Sequence, residues 1–486
     1  MSVVTVPGAA GISVALNYAS ANAASIAKSV LNTIYAAQTS GSLFPQVYSA
    51  STPAVPTGQT GALFADGSNG TDIIAPVGYL GLVDSAASPV TIAGANQANE
   101  SVLGGSGGLT FYTNGGSGTV VGGDGNNLIA SPTASGGAWT LDLYGSGNTT
   151  VYGGSANDLI QSGNGHNLLF LGSGADAVYS SGADTIIAGT GNSTVATSAA
   201  GAFVYGGNGN DELVNAGGAD TFSAGGGAET VFAASSGGLY FLNNSPGINF
   251  VGSGNVASTI VGGSGNATLF GGSGTNLMFT GQQTTVADLQ SSTNTIVGGS
   301  GNATIYAGTG HDTVFQGSGQ LVYDAQQSSS TIVSQANSPG ATLFAENGGQ
   351  VALFGSNSGN IFVAAAGNAT LQGSGASGNN TYFAGAGNDS MVAGSGRDTM
   401  AASVGTATMV GGSGADTFVF AKGSAGGIDL LQNFSAQDQL TFYGYGSNAI
   451  ASQQVSGGSL TITLTDNTRI TLTNVTALSP NQIHSF

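Results

Sequence analysis

Short apolar triplets recur along the chain between glycine-rich polar stretches, and the interval is nine residues. SVL, TFY, TVV and LIA follow Glu100, Leu109, Gly118 and Asn127. After an interruption around Trp139 the beat resumes at Thr149, Asp158, Asn167 and Asp176. One residue is dropped, and it continues through Asp184, Ser193, Ala202, Asp211, Asp220 and Glu229. A third run comprises Ser258, Ala267, Asn276, Thr285, Asn294, Ala303 and Asp312, and a looser one leads to Asp389, Asp398, Ala407 and Asp416. About 35 nonapeptides thus fill residues 90–420, the signature of a solenoid rather than a set of globules.

GGSGNATLFGGSGTNLMF (262–279) holds two copies of the layout G-G-x-G-x-D-x-U-x, in which U is a large apolar residue. Gly-Gly-x-Gly predicts a tight turn with positive φ, and the last three residues predict a brief strand with its middle side chain inward. Two repeats make one coil with strands on opposite walls, and coils stack in parallel about 4.8 Å apart. One coil cannot bury its own apolar residues, so the stack is what folds. Leu269 and Met278 are therefore expected inside, although the sixth position holds Ala267 and Asn276 in place of aspartate. The expected fold is all-β: a right-handed parallel β-roll or β-helix solenoid over residues 91–420.

Residues 1–90 read as a helix-containing cap or assembly segment, and residues 421–486 as a C-terminal β domain forming a hairpin-containing cap. Ile26, Val30 and Ile34 recur at helical spacing within 18–38, with Ser20 or Asn22 as the cap. That helix either covers the open end of the solenoid or docks on a partner. Segment 40–65, rich in Ser, Pro and Thr, is expected to be irregular. SLTITLTDNTRITLT (459–473) alternates across Asp466-Asn467, a hairpin signal.

Of 486 residues 85 are glycine, yet 40% are hydrophobic and only 6% charged. Glycine is thus a geometric device here, not a mark of disorder. The net charge of −19 leaves four cations, Lys28, Arg397, Lys422 and Arg469, too few and too scattered for nucleic acid or an anionic membrane surface. No apolar run approaches the length of a membrane span. There is no cysteine, hence no disulfide or thiol metal site. The amino terminus lacks a basic n-region, so an export address is expected elsewhere.

Calcium is the ligand this pattern suits, because stacked turns offer a carboxylate each together with glycine carbonyls. Stacking places partners 18 residues apart, as are Asp158 and Asp176, Asp398 and Asp416, and Asp211 and Glu229. The candidate ligands are Asp158, Asp176, Asp211, Asp220, Glu229, Asp312, Asp389, Asp398 and Asp416. The competing reading makes these residues turn formers only. It is preferred at Ala267, Ala303, Asn276 and Asn294.

The three histidines, His166, His311 and His484, lie far apart, with no H-E-x-x-H motif and no G-x-S-x-G elbow partnered by histidine. No catalytic residue is assigned, although a carboxylate enzyme acting on polysaccharide stays an alternative. The ninth position is often aromatic: Tyr152, Phe170, Tyr179, Phe232, Phe270, Phe279, Tyr306 and Phe315. These rings either form an outward apolar patch or lie inside a wider coil.

GGNGNDELV (206–214), AGAGNDSMV (384–392) and AGSGRDTMA (393–401) show the motif most fully, and residues 145–420 resemble the repeat region of RTX proteins. Ile428-Asp429, Asn433-Phe434 and Asp438-Gln439-Leu440 are similar to that family's carboxy-terminal block. The resemblance implies calcium-dependent folding after type I export with an uncleaved carboxy-terminal signal. The expected function is a secreted, calcium-stabilised structural protein, extracellular or on the cell surface. Its first partner would be itself, in a surface layer or matrix filament. The alternative is an adhesin module that binds cell-surface polysaccharide.

Overall fold

The computed structural model describes residues 2–8, 12–131, 136–198, 201–233, 237–243, 245–252, 255, 257–283, 285–290, 293–346, 349–424 and 426–486. The chain forms two units, Met1–Ile248 and Asn249–Phe486. Each is a parallel β-solenoid with two walls of short strands.

In the first unit one wall contains Gly118–Val121, Trp139–Leu143, Leu159–Ser162, Ala177–Ser180, Thr194–Thr197 and Glu212–Asn215, each parallel to the next. Equivalent repeat positions pair: Ile160 lies beside Val178, and Leu213 beside Val231. The eighth positions point inward, with Val120, Ile160, Val178, Val195 and Leu213 on one wall facing Ile129, Val151, Leu169, Ile186 and Val204 on the other. Each such burial contributes about 1.5–3 kcal/mol. Leu269 and Met278 are buried too, although their repeats lack the aspartate.

The glycines serve a purpose other than the positive φ expected of every turn. Turns stack through backbone bonds such as Asn208 N–H to Gly189 O and Gly226 N–H to Gly207 O, both 2.8 Å. A Cβ on Gly207 would overlap the Gly189 carbonyl oxygen, and one on Gly209 the Gly191 carbonyl. Close approach between coils, at ordinary φ, is what demands glycine there.

Parallel pairing begins before residue 91. β1 (Ser2–Pro7) and β2 (Ser13–Tyr18) form an antiparallel hairpin, followed by α1 (Ala21–Val30) and α2 (Asn32–Ser40). Segment 40–65 supplies β3 (Leu43–Val47) and β4 (Thr60–Ala65), which are parallel to each other and lead into the wall through Tyr79–Asp84 and Glu100–Leu103. Ser20 caps α1 as expected, but the helix breaks at Leu31. The helices cover the outer face of a wall rather than an end. Ala23, Ala24, Ala27, Leu31 and Ile34 pack with the hairpin's Val4, Val6, Leu16 and Tyr18 onto Phe64, Val83, Leu103 and Val121. Those wall residues are outward and aliphatic or aromatic, and small alanines let the helix approach them closely.

In the second unit the hairpin over 459–473 is present. Ser459–Leu464 pairs with Arg469–Leu472, and Asn467 at the turn has φ 70°. Ile450–Ser456 adds a third antiparallel strand through a Gly457-Gly458 turn with both φ positive. Arg469–Leu472 also lies parallel to Ile428–Gln432, and Ile483–Ser485 lies parallel to Gln439–Tyr443, so the tail continues both walls.

Candidate calcium ladder

Each sixth-position side chain lies at the corner where a glycine turn enters a strand, buried between coils. Where that residue is aspartate or asparagine, a side-chain oxygen accepts the backbone N–H of the sixth residue one coil earlier. Trp139 N–H donates to Asp158 (2.8 Å), Asp158 N–H to Asp176 (2.7 Å), and Ser193 N–H to Asp211 (2.8 Å). In the second unit Asn380 donates to Asp398 (2.7 Å), Asp398 to Asp416 (2.9 Å) and Asp416 to Asp438 (2.8 Å). Asp389 accepts Ala369 N–H at 2.9 Å and Gly385 N–H at 2.7 Å. The second oxygens of Asp211, Asp398 and Asp416 accept a glycine N–H four residues back, from Gly207, Gly394 and Gly412. Glu229 binds Gly225 N–H at 3.0 Å in the same way.

Six of the nine candidate ligands divide by their partners. Asp158–Asp176 and Asp398–Asp416 are consecutive members of a ladder, and their carboxyls meet mainly backbone N–H groups, with Asn380 Nδ2 also donating to Asp398 (2.8 Å). Asp220 and Asp312 are satisfied by side chains as well. Thr197 donates its hydroxyl to Asp220 (2.6 Å) and Tyr323 donates to Asp312 (3.1 Å).

Burial pushes every one of these carboxyls above its ordinary pKa. Asp158 rises to about 6 and Asp176 to about 7, the latter helped by the neighbouring charge of Asp158. Asp416 rises to about 6 through burial and the charges of Asp398 and Asp438. A stack of buried carboxylates repels itself and calls for positive charge that four cations cannot supply.

Calcium fits these residues. Asp176 Oδ2 is buried without a hydrogen-bond partner, as is Asp429 Oδ2, and both are hard oxygen donors. Among the described residues no three His, Cys, Asp or Glu side chains come together, so a site here would combine carboxylate pairs with turn carbonyls. The ion supplies the neutralising charge; Asp158, Asp176, Asp398 and Asp416 would hold it.

Sequence reasoning missed two elements of the ladder. Asp429 and Asp438 take the sixth-position role through Ala407 N–H (3.0 Å) and Asp416 N–H, at an offset of 22 residues. The fifth position, treated as variable, carries a second ladder that runs the other way. Asn157 accepts Ala175 N–H and Asn210 accepts Ala228 N–H, both at 2.8 Å from the following coil. An Asn-Asp dipeptide thus ties its coil forward through asparagine and backward through aspartate. The recurrent N-D and N-N pairs were the available signal.

The ninth-position rings, left open between two orientations, face outward. Tyr152, Tyr179, Phe232, Phe270, Phe279, Tyr306 and Phe315 are exposed, Tyr179 at 54%, and Phe170 is half-buried. Tyr152 and Phe170 stack with centroids 4.9 Å apart and planes within 1°.

A family model described as the RTX calcium-binding nonapeptide repeat matches residues 144–178, 179–213, 205–235, 254–285, 290–320 and 374–409. No curated protein matches the chain. The matches take in Asp158, Asp176, Asp211, Asp220, Glu229, Asp312, Asp389 and Asp398, whereas Asp416 lies beyond them, and calcium is the ion the motif binds. In those six stretches, then, this chain carries RTX calcium-binding nonapeptide repeats.

Proposed function

We propose that this is a secreted, calcium-stabilised structural protein that assembles with copies of itself into a surface layer or matrix filament. Proteins built on this repeat are typically secreted, and a structural or adhesin-like role suits them. The observation that carries the assembly reading is the row of outward rings on a weakly charged exterior. Tyr112, Tyr152 and Tyr205 stand along one wall of the first unit, all exposed. Contiguous apolar surface of this kind marks interaction sites. The strand Ile450–Ser456 adds an exposed edge without Lys or Pro to blunt it. Export would follow the type I route, with the address in the carboxy-terminal block around Asp429 and Asp438. The test is electron microscopy of purified protein in calcium and in chelator. Ordered sheets or filaments in calcium alone support assembly; monodisperse particles in both remove it.

A second reading, adhesion to polysaccharide, is favoured by a groove of about 360 Å³ on the second unit. His311, Ser329, Thr331, Gln350, Thr370 and Gln372 line it. Asp312 lines it too, the groove's hydroxyls and amides suit the hydroxyl groups of a glycan, and exposed Phe315 and Phe354 on the same wall offer rings for sugar stacking. Glycan-array binding lost on Gln350→Ala would support adhesion, and no binding to any glycan would exclude it.

A further inference from the structure

Asparagine replaces aspartate at several sixth positions, and its amide does something a carboxylate cannot. Asn276 Nδ2 donates to the carbonyls of Gly271 and Gly274 in its own turn, both at 2.8 Å. Asn380 Nδ2 reaches Gly378 O at 2.9 Å, Asn360 Nδ2 reaches Ser358 O at 2.8 Å, and Asn127 Nδ2 reaches Gly125 O at 2.9 Å. The amide oxygen meanwhile keeps the ladder, as Asn276 accepts Ser258 N–H at 3.2 Å and Asn294 accepts Asn276 N–H at 3.1 Å. One asparagine therefore links its turn carbonyls and the neighbouring coil by itself. A carboxylate only accepts, so it can join those carbonyls only through a cation.

Two of these asparagines, Asn276 and Asn294, fall in a stretch without paired sixth-position acids. Over residues 258–333 one wall has Ala267, Thr285, Ala303 and Leu321 at the sixth position, and the other has Ser258, Asn276, Asn294, Asp312 and Ser330. The single acid, Asp312, takes Asn294 N–H and Nδ2 at 3.0 Å each and the Tyr323 hydroxyl at 3.1 Å. No pair of stacked carboxylates occurs at these sixth positions.

We propose that sixth-position asparagine is a built-in substitute for calcium. The coils over 258–333 hold together without the ion, whereas those carrying Asp158–Asp176 and Asp398–Asp416–Asp438 require it. Asp312, although within a matched repeat, stands outside the calcium set. The inference rests on the calcium reading of the paired aspartates and is independent of self-assembly.

Hydrogen exchange on the full chain, resolved by peptide, tests this in calcium and in chelator. Peptides covering 149–180 and 389–420 are expected to exchange at least about tenfold faster in chelator, while 258–333 keeps its protection. Equal loss over 258–333, or equal retention over the aspartate coils, overturns the proposal. Two exchanged variants guard against simple misfolding. Asn276→Asp with Asn294→Asp should lose protection over 258–333 in chelator and recover it in calcium; behaviour indifferent to calcium counts against the proposal. Asp158→Asn with Asp176→Asn should gain protection in chelator, and no gain rejects the substitute role.

Discussion

Asn210 and Glu100 show what single side chains contribute. Asn210→Ala removes the bond from Ala228 N–H, so a loss of about 0.5–1.5 kcal/mol is expected in urea unfolding. Glu100 is buried, its Oε1 bonded to Ala95 N–H and Gln97 and its Oε2 unpartnered. Burial raises its pKa from 4.5 to about 7. The folded value exceeds the ordinary one, so the protonated form stabilises the fold. That contribution is complete below about 4.5, falls as pH rises, and is gone above about 7. Glu100→Gln should therefore raise the urea midpoint at pH 8 and lose its advantage by pH 4. The sixth position was legible in the sequence because aspartates recur at 18 residues. Asp429 and Asp438 were not, since their offset is 22. The fifth-position asparagines were missed because they bond to backbone, which leaves no trace in hydrophobic or charge patterning.

Strands and turns obey stricter limits than their composition suggests. Leu269→Ala should cost about 2–5 kcal/mol by thermal or urea unfolding, since a fully buried eighth-position side chain leaves a cavity. Gly207→Ala should be worse than a propensity change, because the Gly189 carbonyl occupies the space a Cβ needs. A Gly207→Ala protein as stable as the parent would refute this reading of the turns. The helices are held by apolar contact with a wall, so Ala27→Glu should release them and increase binding of a hydrophobic dye to Leu103 and Val121. The tail hairpin was readable from Asp466-Asn467 between alternating strands. β1 to β4 were not, because they lack the nine-residue glycine beat. Where the helices lie was hidden as well, since their docking surface is composed of ninth positions scattered over residues 64–121.

For the chain as a whole, metal and stability are linked. On the calcium reading of the paired aspartates, the ion prefers the folded ladder to the separated carboxylates, so adding it should raise the melting temperature in proportion to its logarithmic concentration. Chelator should give a biphasic melt if asparagine coils outlast aspartate coils, and a single unchanged transition would deny the linkage. Register adds a last consequence. Leu277 stands directly beside Thr295, one strand away. Excising residues 277–294 would join Asn276 to a residue already occupying the adjoining place, and every later strand would remain on its own side. Removing nine residues would send each of them across to the other. Such a chain can grow or shrink by whole turns, which over this stretch are eighteen residues each.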